Sequence, residues 1–153
     1  MERLQCEIRL MLPGEESVLY LLAEQSLRPL ASQSGHPERY HPDELMQLLR
    51  DAEVFIAEAD DEVAGYVAVE DDAGDLVVRC LCVSPAHEAQ AVANQLLDWV
   101  EGLAFNRKAR RLEAFVPTGD EASLHLYRRH DFSGAPESDR PELIVMEKRL
   151  PEP

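Results

Sequence analysis

Positive charge is scarce in this chain. Of its 153 residues, 15 are lysine or arginine and 30 are aspartate or glutamate, which gives a formal net charge of −15. Only two of the cations are lysines, Lys108 and Lys148. A surface this acidic repels the phosphates of nucleic acids and of anionic lipids, so we expect no nucleic-acid partner and no membrane partner. A cationic amine would be attracted, although the same charge also favours solubility.

Long apolar segments are also missing. No run of apolar residues approaches the ~18 that a membrane-spanning helix needs. The opening sequence MERLQCEIRL alternates polar and apolar side chains and has no apolar core of a signal peptide. We therefore expect a cytoplasmic protein.

Disulfide and metal-ligand patterns are not found either. The chain has three cysteines, Cys6, Cys80 and Cys82, an odd number without the spacing of a disulfide framework or a zinc site. Cys80 and Cys82 lie two apart in a predicted strand, so both point to one face, towards the core. The histidines, which show no ligand spacing, are His36, His41, His87, His125 and His130. We predict no metal site.

The residues that are present form an ordered series of helix and strand patterns. Apolar residues make up 45% of the chain and charged residues 29%, a balance that at this length predicts one globular domain over residues 1–153. Alternating or continuous apolar runs predict strands at residues 4–12, 54–58, 62–70, 76–83, 112–116, from 132 onward and at 143–150. Apolar residues at helical spacing predict helices at 15–27, 42–50, 88–105 and 121–129.

The connections between these elements differ in length. Residues 28–41, RPLASQSGHPERYH, are rich in serine, proline, glycine and histidine and predict a long loop. Such a loop is either a functional segment, such as a lid over a substrate, or a segment without fixed structure. Acidic turns at residues 59–61 and 71–75 separate consecutive strands, and the first of them indicates a hairpin.

The junction between the strand at 76–83 and the longest helix carries a motif. Leu81-Cys82-Val83-Ser84-Pro85 ends the strand, and residues 86–97, AHEAQAVANQLL, open the helix. This run resembles the cofactor loop of the Gcn5-related N-acetyltransferase (GNAT) family, in which Val-x-Pro is followed by Arg/Gln-x-x-Gly-x-Gly/Ala and a Leu-Leu pair. The positions that match are Pro85, Gln90, Val92, Leu96 and Leu97.

Two further patterns follow in the order in which the family has them. Asp120 stands where the family has an asparagine four residues after a strand, and Ser123 replaces a small alanine before a Leu-Tyr pair at 126–127. As the first residue of a helix, Asp120 can accept hydrogen bonds from the amides of the first turn. The run from Tyr127 to Phe132 resembles the Tyr-x-x-x-Gly-Phe turn of the family. Asp131 replaces its glycine, and aspartate tolerates the left-handed conformation.

The resemblance covers nearly the whole chain and implies an α/β (α+β) fold. The implied domain has three layers, with a mixed, mostly antiparallel sheet of six to seven strands and about four helices. The resemblance also implies that the chain binds acetyl-CoA, since unpaired amides and the helix dipole at a helix N-terminus favour pyrophosphate. The implied cofactor-binding residues are Leu81, Val83, Glu88, Ala89, Gln90, Ala91, Val92, Ala93, Asn94 and Asp120.

The cofactor loop departs from the family pattern in two ways. Ala89, Ala91 and Ala93 stand where the fuller motif has glycine, and the Cβ of Ala91 can hold the backbone away from the phosphates. Glu88 stands where the family prefers arginine or glutamine, and a carboxylate about 4 Å from a phosphate costs ~1 kcal/mol in water. Either the amides of residues 89–94 still bind acetyl-CoA weakly, with Glu88 turned to solvent, or the loop has lost the cofactor.

Acetylation of an amine needs a deprotonated amine, a stabilised tetrahedral intermediate and a proton for the departing thiolate. Tyr127 matches the family's tyrosine that supplies this proton, and a phenol with a reference pKa of ~10 is protonated at neutral pH. The alternative for Tyr127 is a packing role in the core. The resemblance places oxyanion and pantetheine contacts on the main chain of Leu81 and Val83. A general base is not assigned, with Glu70, Glu113 or an ordered water as candidates.

The sequence therefore indicates an N-acetyltransferase that moves an acetyl group from acetyl-CoA to a primary amine of a small molecule or a basic peptide. The alternative is a non-catalytic domain of the same fold that serves in ligand sensing or protein association. A homodimer is expected only by analogy with the family.

Overall fold

The computed structural model describes residues 5–33, 38, 40–87, 89–136 and 143–151, which contain seven strands and four helices. The strands are β1 (Glu7–Leu10), β2 (Glu53–Ala59), β3 (Glu62–Asp72), β4 (Asp75–Val83), β5 (Arg111–Pro117), β6 (Ser133–Pro136) and β7 (Leu143–Arg149). The helices are α1 (Glu16–Gln33), α2 (Pro42–Asp51), α3 (Ala89–Asn106) and α4 (Glu121–Arg129). None of the helices in this part of the chain is both long and apolar enough to cross a membrane.

The seven strands form one sheet in the order β1-β2-β3-β4-β5-β7-β6. β1 is antiparallel to β2, and β7 is antiparallel to both β5 and β6. β4 and β5 are parallel, with Val77 opposite Glu113, and α3 supplies the crossover that parallel neighbours require. The predicted mixed, mostly antiparallel sheet with about four helices is therefore confirmed.

The turn between β2 and β3 and the turn between β3 and β4 use left-handed backbone. Asp60 and Asp61, between β2 and β3, have φ values of 54° and 63°. Ala73 and Gly74, between β3 and β4, have φ values of 51° and 92°. Positive φ at both central residues fits type I′ turns, whose twist matches that of the flanking strands. The predicted hairpin at residues 59–61 is confirmed.

The chain divides into two compact units, of which unit 1 comprises residues 1–68 and 80–96. Its hydrophobic core is built on Leu19 and Leu22 of α1, Leu49 of α2, Ile56 of β2 and Tyr66 of β3, each buried. β3 is buried continuously from Ala64 to Val69, which explains why its sequence shows apolar residues without strict alternation.

Unit 2 comprises residues 69–79 and 97–153. In β5 the buried positions alternate, with Leu112, Ala114 and Val116 inside, so the strand presents one face to the core. Met146 of the neighbouring strand β7 is fully buried and pairs with Ala114. This alternation is what the short apolar pattern of the sequence predicts.

The predicted loop over residues 28–41 is wrong in its first part, because α1 continues to Gln33. Pro29 lies inside this helix, although proline usually ends one. Arg28 bonds to Glu24 one turn earlier, with Nη2 at 3.0 Å from Oε1, and its guanidinium lies 4.7 Å from the ring centre of Tyr40. The predicted lid is therefore reduced to residues 34–41, of which 34–37 and 39 lie outside the described residues.

Candidate functional site

Strand β4 of unit 1 leads into α3 through a turn that Ser84 holds. Ser84 is 5% exposed, and its N–H donates to the carbonyl of Ala64 at 2.8 Å. Its Oγ accepts the N–H of Ala86 at 3.2 Å, and its carbonyl accepts the N–H of His87 at 3.3 Å. These bonds fix the direction in which the chain enters α3. The sequence interpretation missed Ser84 as a turn-forming residue, although serine is common at the start of such turns.

The first turn of α3 offers backbone donors. The helix begins at Ala89, so the N–H groups of Ala89, Gln90 and Ala91 have no acceptor within the helix. The N–H groups of Ala93 and Asn94, by contrast, bond to carbonyls four residues earlier. The donors that remain for a ligand are therefore those of the first turn. Glu88, predicted to adjoin this cradle, lies outside the described residues.

The alanines of this turn are free of backbone strain. The described non-glycine residues with positive φ are Asp60, Asp61, Ala73, Lys108 and Asp131. Ala89, Ala91 and Ala93 are not among them and lie in α-helix, a conformation that alanine favours by about 1 kcal/mol over glycine. The backbone path of this turn therefore does not need the family's glycines.

Gly65 of β3 lets α3 lie close to the sheet. A Cβ at this position would stand 2.8 Å from the carbonyl oxygen of Cys82 and 3.1 Å from Cγ1 of Val92. Both distances are shorter than ordinary carbon contacts, so any larger residue would displace β4 or α3. The sequence interpretation missed Gly65. A glycine inside a strand pattern is the signal that could have identified it.

The predicted site residues that surround this turn have different environments. Val92 is fully buried and Ala93 is 7% exposed, so their side chains belong to the core. Gln90 is exposed at the helix end, whereas Leu81 and Val83 are half-buried at the end of β4. Because the side chains of Val92 and Ala93 lie in the core, these two residues can contact a ligand only through their main-chain groups.

His87 has an unsatisfied polar atom beside this turn. Its Nε2 lies 3.4 Å from Oε2 of Glu62, and its imidazole is 11% exposed. Its buried Nδ1 has no hydrogen-bond partner among the residues that the structure describes. Because buried polar groups are almost always paired, a ligand or a water would complete this position.

The two cysteines of β4 are not reactive groups. Burial raises the pKa of Cys80 to about 12 and that of Cys82 to about 11. Both thiols are therefore protonated at neutral pH, whereas nucleophilic attack and metal binding need the thiolate. Cys82 is 1% exposed, as the predicted core position requires.

In unit 2, Asp120 is the N-cap of α4. Its Oδ1 accepts the N–H of Ser123 at 3.1 Å, and the residue is 7% exposed. Gly119 before it has a φ of 99°, which turns the chain out of β5. The predicted cap is confirmed. Because this carboxylate is engaged by the helix, its first role is to start α4.

Tyr127 lies near the end of α4 and is 4% exposed. Its ring meets that of Phe132 edge to face, with 5.2 Å between ring centres. Between them, Asp131 has a φ of 68°, so the residue that replaces the family's glycine does adopt the left-handed conformation, and that prediction is confirmed. The motif from Tyr127 to Phe132 thus forms a defined local unit that fixes the tyrosine ring.

The two acids considered as general bases both have cationic neighbours in unit 2. Glu113 Oε1 lies 2.9 Å from Arg111 Nη2, and Glu70 Oε2 lies 3.9 Å from Arg79 Nη1. Each carboxylate therefore already has an arginine beside it. This arrangement favours neither acid as the base.

A cluster that the sequence did not reveal brings His130 near two acids of α3. His130 Nδ1 lies 3.7 Å from Oδ1 of Asp98 and 3.7 Å from Oε1 of Glu101. Among the described residues this is the one group whose ligand atoms lie close enough to hold a metal ion. The ammonium of Lys148, 3.0 Å from Glu101, already supplies a positive charge there, and Asp98 is largely exposed. The cluster therefore works as an ion-pair network.

Comparison with known proteins places these features in a family context. The sequence profile of the acetyltransferase (GNAT) family matches residues 19–132, which includes the β4–α3 turn, Asp120 and Tyr127. The comparison with curated proteins found no relative.

Solved structures with the same fold include several acetyltransferases. PaiA N-acetyltransferase from Thermoplasma acidophilum, in complex with coenzyme A, is 17% identical with a TM-score of 0.79, over 95% of this chain and 99% of that one. The ribosomal-protein-S18-alanine N-acetyltransferase from Escherichia coli is 15% identical with a TM-score of 0.76, over 95% of this chain and 94% of that one. A Bacillus subtilis acetyltransferase in complex with CoA is 16% identical with a TM-score of 0.76, over 96% of this chain and 100% of that one. At these identities the likeness concerns the fold.

Proposed function

Because the chain belongs to the acetyltransferase (GNAT) family, we propose that it transfers an acetyl group from acetyl-CoA to a primary amine of a small molecule or a peptide. The observation that carries this proposal is the β4–α3 turn. Its described residues have no positive φ, Ser84 holds its first part by hydrogen bonds, and the first-turn amides of α3 have no acceptor within the helix.

In this proposal the amides of Ala89, Gln90 and Ala91 hold the pyrophosphate of acetyl-CoA. They lie at the positive end of the helix dipole, which favours a negative ligand. Val92, Ala93 and Asn94 support the turn from within the helix, and Asp120 acts by starting α4. The main chain of Leu81 and Val83, at the end of β4, is the proposed contact for the acetyl and pantetheine groups.

Glu88 is the residue that weakens this cradle. A carboxylate beside a diphosphate is repulsive wherever it cannot turn into water, so we expect acetyl-CoA to bind less tightly than with arginine at this position. Ala89 and Gln90 are exposed, so the described start of α3 is open to solvent.

The proposed transfer follows from the chemistry of thioesters. The amine nitrogen attacks the thioester carbonyl carbon, and its negative oxygen is stabilised by backbone N–H groups. The C–S bond then breaks, the new amide keeps the acetyl group, and the CoA thiolate takes a proton from the hydroxyl of Tyr127. An acceptor that arrives as an ammonium loses one proton before it attacks and a second from the tetrahedral intermediate, to solvent or to a base, and Tyr127 regains its proton from solvent. We leave that base unassigned, since Glu70 and Glu113 are both paired with arginine.

The acceptor that we propose is cationic before it reacts. A chain with a formal net charge of −15 attracts ammonium groups and raises their local concentration. A small amine and a lysine-rich peptide both satisfy this condition.

Calorimetric titration with acetyl-CoA tests the cofactor proposal. We expect saturable binding by the wild-type protein and about tenfold tighter binding by a Glu88→Arg/Ala91→Gly variant, because it replaces a repulsive charge with an attractive one. Glu44→Arg is a matched control, since it makes the same charge change in the first turn of α2. The Glu44→Arg variant should bind acetyl-CoA with the affinity of the wild type.

Two results would count against this proposal. If millimolar acetyl-CoA gives no heat with either the wild type or the repaired variant, the non-catalytic alternative takes its place. If the repaired variant and the Glu44→Arg control gain equally, the effect is one of overall charge and the first turn of α3 is not the phosphate site.

A further inference from the structure

Unit 2 contains a cavity of about 330 Å³ whose lining is unusually basic for this chain. Four of its lining residues are cations, and one, Asp75, is an anion. The cations are Lys108, Arg110, Arg111 and Arg149. The whole chain has only 15 lysines and arginines against 30 acids, so this concentration is opposite in sign to the rest of the molecule.

Lys108 is held in this lining by an unfavourable backbone conformation. It follows α3, and its N–H donates to Phe105 while that of Ala109 donates to Ala104 at 2.9 Å, the bonds of a Schellman turn. The residue at this point is left-handed, with a φ of 59°, and glycine is the usual choice there. A lysine at a glycine position indicates that its side chain is needed.

Arg110 is fixed against the β3–β4 turn. Its Nη2 donates to the carbonyl of Ala73 at 2.7 Å, and its backbone N–H donates to that of Gly74 at 2.9 Å. A Cβ on Gly74 would stand 3.3 Å from Nε of Arg110, so the glycine leaves room for the guanidinium. Arg110 therefore presents a positioned cation on the cavity wall.

Arg111 and Arg149 face each other across two strands. They are direct partners in the antiparallel pair of β5 and β7, a position in which like charges repel. Three carboxylates neutralise the charge of Arg111. Its guanidinium lies 2.9 Å from Asp75, 2.9 Å from Glu113 and 3.2 Å from Glu147. The side chains of Arg149 and Lys108 have no hydrogen bond or ion pair with any residue of the described ranges. Among the residues that the structure describes, positive charge is thus left over in the cavity.

Asp75 also restricts which anion can bind in the cavity. It is 11% exposed, and its Oδ2 is taken by Arg111, whereas its buried Oδ1 has no hydrogen-bond partner among the described residues. Arg110 Nε lies 3.8 Å from Oδ1, too far for a hydrogen bond. This oxygen can be satisfied only by a donor, which a fully ionised oxyanion lacks.

We propose that this cavity binds a small oxyanion that also carries a hydroxyl, namely hydrogen phosphate or the phosphate end of a small hydroxylated phosphomonoester. The anionic oxygens accept hydrogen bonds from Lys108, Arg110 and Arg149, and the hydroxyl donates to Oδ1 of Asp75. Arginine forks and the lysine ammonium are the groups that bind such oxygens in proteins. The cavity shares no lining residue with the β4–α3 turn, and the proposal does not require acetyl-CoA.

Titration with inorganic phosphate, at ionic strength held constant with NaCl and without any cofactor, tests this proposal. We expect saturable binding by the wild type and about tenfold weaker binding of sulfate, which has no hydroxyl for Asp75. Lys108→Gly and Arg149→Gln should each weaken phosphate about tenfold or more. Lys108→Gly relieves the left-handed strain, so this variant should fold at least as stably as the wild type.

Arg50→Gln, which removes a cation from the exposed end of α2, is the control for overall charge and should bind phosphate like the wild type. Absence of phosphate binding beyond that in NaCl, or an equal loss in the control and both cavity variants, overturns the proposal. If the wild type binds sulfate as tightly as phosphate, Asp75 does not select for an anion with a hydroxyl. The wild-type protein can also be tested without mutation, by soaking its crystals in phosphate. A cavity that stays empty at a saturating phosphate concentration would overturn the proposal.

Discussion

At the scale of single residues, the packing role of Tyr127 and its proposed catalytic role can be tested separately. Its ring is buried and rests edge to face on Phe132, while its hydroxyl is the group that the proposed transfer uses. Phenylalanine at this position would keep the ring contact and lose only the hydroxyl. A change in activity would therefore report on the proton and not on the fold.

We predict that Tyr127→Phe lowers kcat by about 100-fold or more, the usual contribution of a general acid, while KM changes little. Steady-state kinetics with acetyl-CoA and an amine acceptor measure both constants. Tyr20→Phe, which removes a phenol hydrogen-bonded to Glu24 on α1, is the matched control and should keep full turnover. Full turnover by Tyr127→Phe would remove Tyr127 from the mechanism.

The buried thiol of Cys82 makes the stability of unit 1 decrease as the pH rises above the thiol's ordinary pKa. Burial raises its pKa from 9.0 to about 11. Between these values the unfolded chain has released a proton that the folded chain still holds, so the unfolded state gains stability as the pH rises. The contribution of this thiol is complete below pH 9.0 and is lost as the pH approaches 11.

We predict that the free energy of unfolding falls by about 1.4 kcal/mol per pH unit for each such thiol above pH 9.0. Urea unfolding between pH 8 and pH 11 measures this slope. In Cys82→Ala the slope should be shallower, although the small cavity lowers stability by ~1 kcal/mol at every pH. Parallel curves for the two proteins would show that Cys82 does not titrate in this range.

At the scale of elements, α4 depends on its first residue. The carboxylate of Asp120 accepts the N–H of Ser123, one of the amides that a helix leaves unpaired at its start. α4 has only nine residues, so it has few internal bonds to compensate for a lost cap.

We predict that Asp120→Ala lowers the free energy of unfolding by about 1 kcal/mol, because it removes this cap. Asp120→Asn, which introduces the residue that the family pattern has here, should cost no more than a few tenths of that amount. Chemical denaturation of the three proteins measures the difference. Equal losses in both variants would assign the effect to charge instead of to the cap.

The elements themselves could largely be predicted from the sequence. The bounds of α4 were predicted to the residue, and those of β4, β5 and α3 within one residue at each end. Periodicity succeeds here because each element buries one face, as in β5, or both faces, as in β3. The end of α1 was missed because residues 28–41, rich in serine, proline, glycine and histidine, are read locally as a loop, while the contact of Arg28 with Tyr40 is tertiary.

The candidate site could be predicted only in part, for the same reason. Chain-local motifs identified the β4–α3 turn and Asp120. Ser84 and Gly65, which hold α3 in place, act through Ala64, Cys82 and Val92, residues distant in the sequence. The cluster of His130 with Asp98 and Glu101, and the convergence of Lys108 and Arg149, depend on pairing between elements and leave no spacing signal.

At the scale of the whole molecule, repulsion among like charges opposes folding. The formal net charge is −15, and every described ion pair has at least one partly exposed side chain, so each contributes modestly. Salt screens both the repulsion and the ion pairs, but the repulsion among the excess acids is the stronger of the two effects.

We predict that the melting temperature rises by several degrees when KCl is raised from about 0.01 M to 1 M, as the screening length shrinks from about 30 Å to 3 Å. Differential scanning calorimetry in a buffer free of phosphate and sulfate measures this without occupying the basic cavity of unit 2. A melting temperature that falls with KCl would mean that attractive ion pairs outweigh the net repulsion.

Pro29 has a further consequence for α1. Proline has no N–H, so the carbonyl of Gln25, four residues earlier, lacks its helical donor. The last turn, through Gln33, can therefore unwind without breaking any bond of the first three turns, and its amides exchange with solvent deuterium first. Leu19 and Leu22 keep the first part of α1 anchored in the core, so we expect the helix to open from this one end.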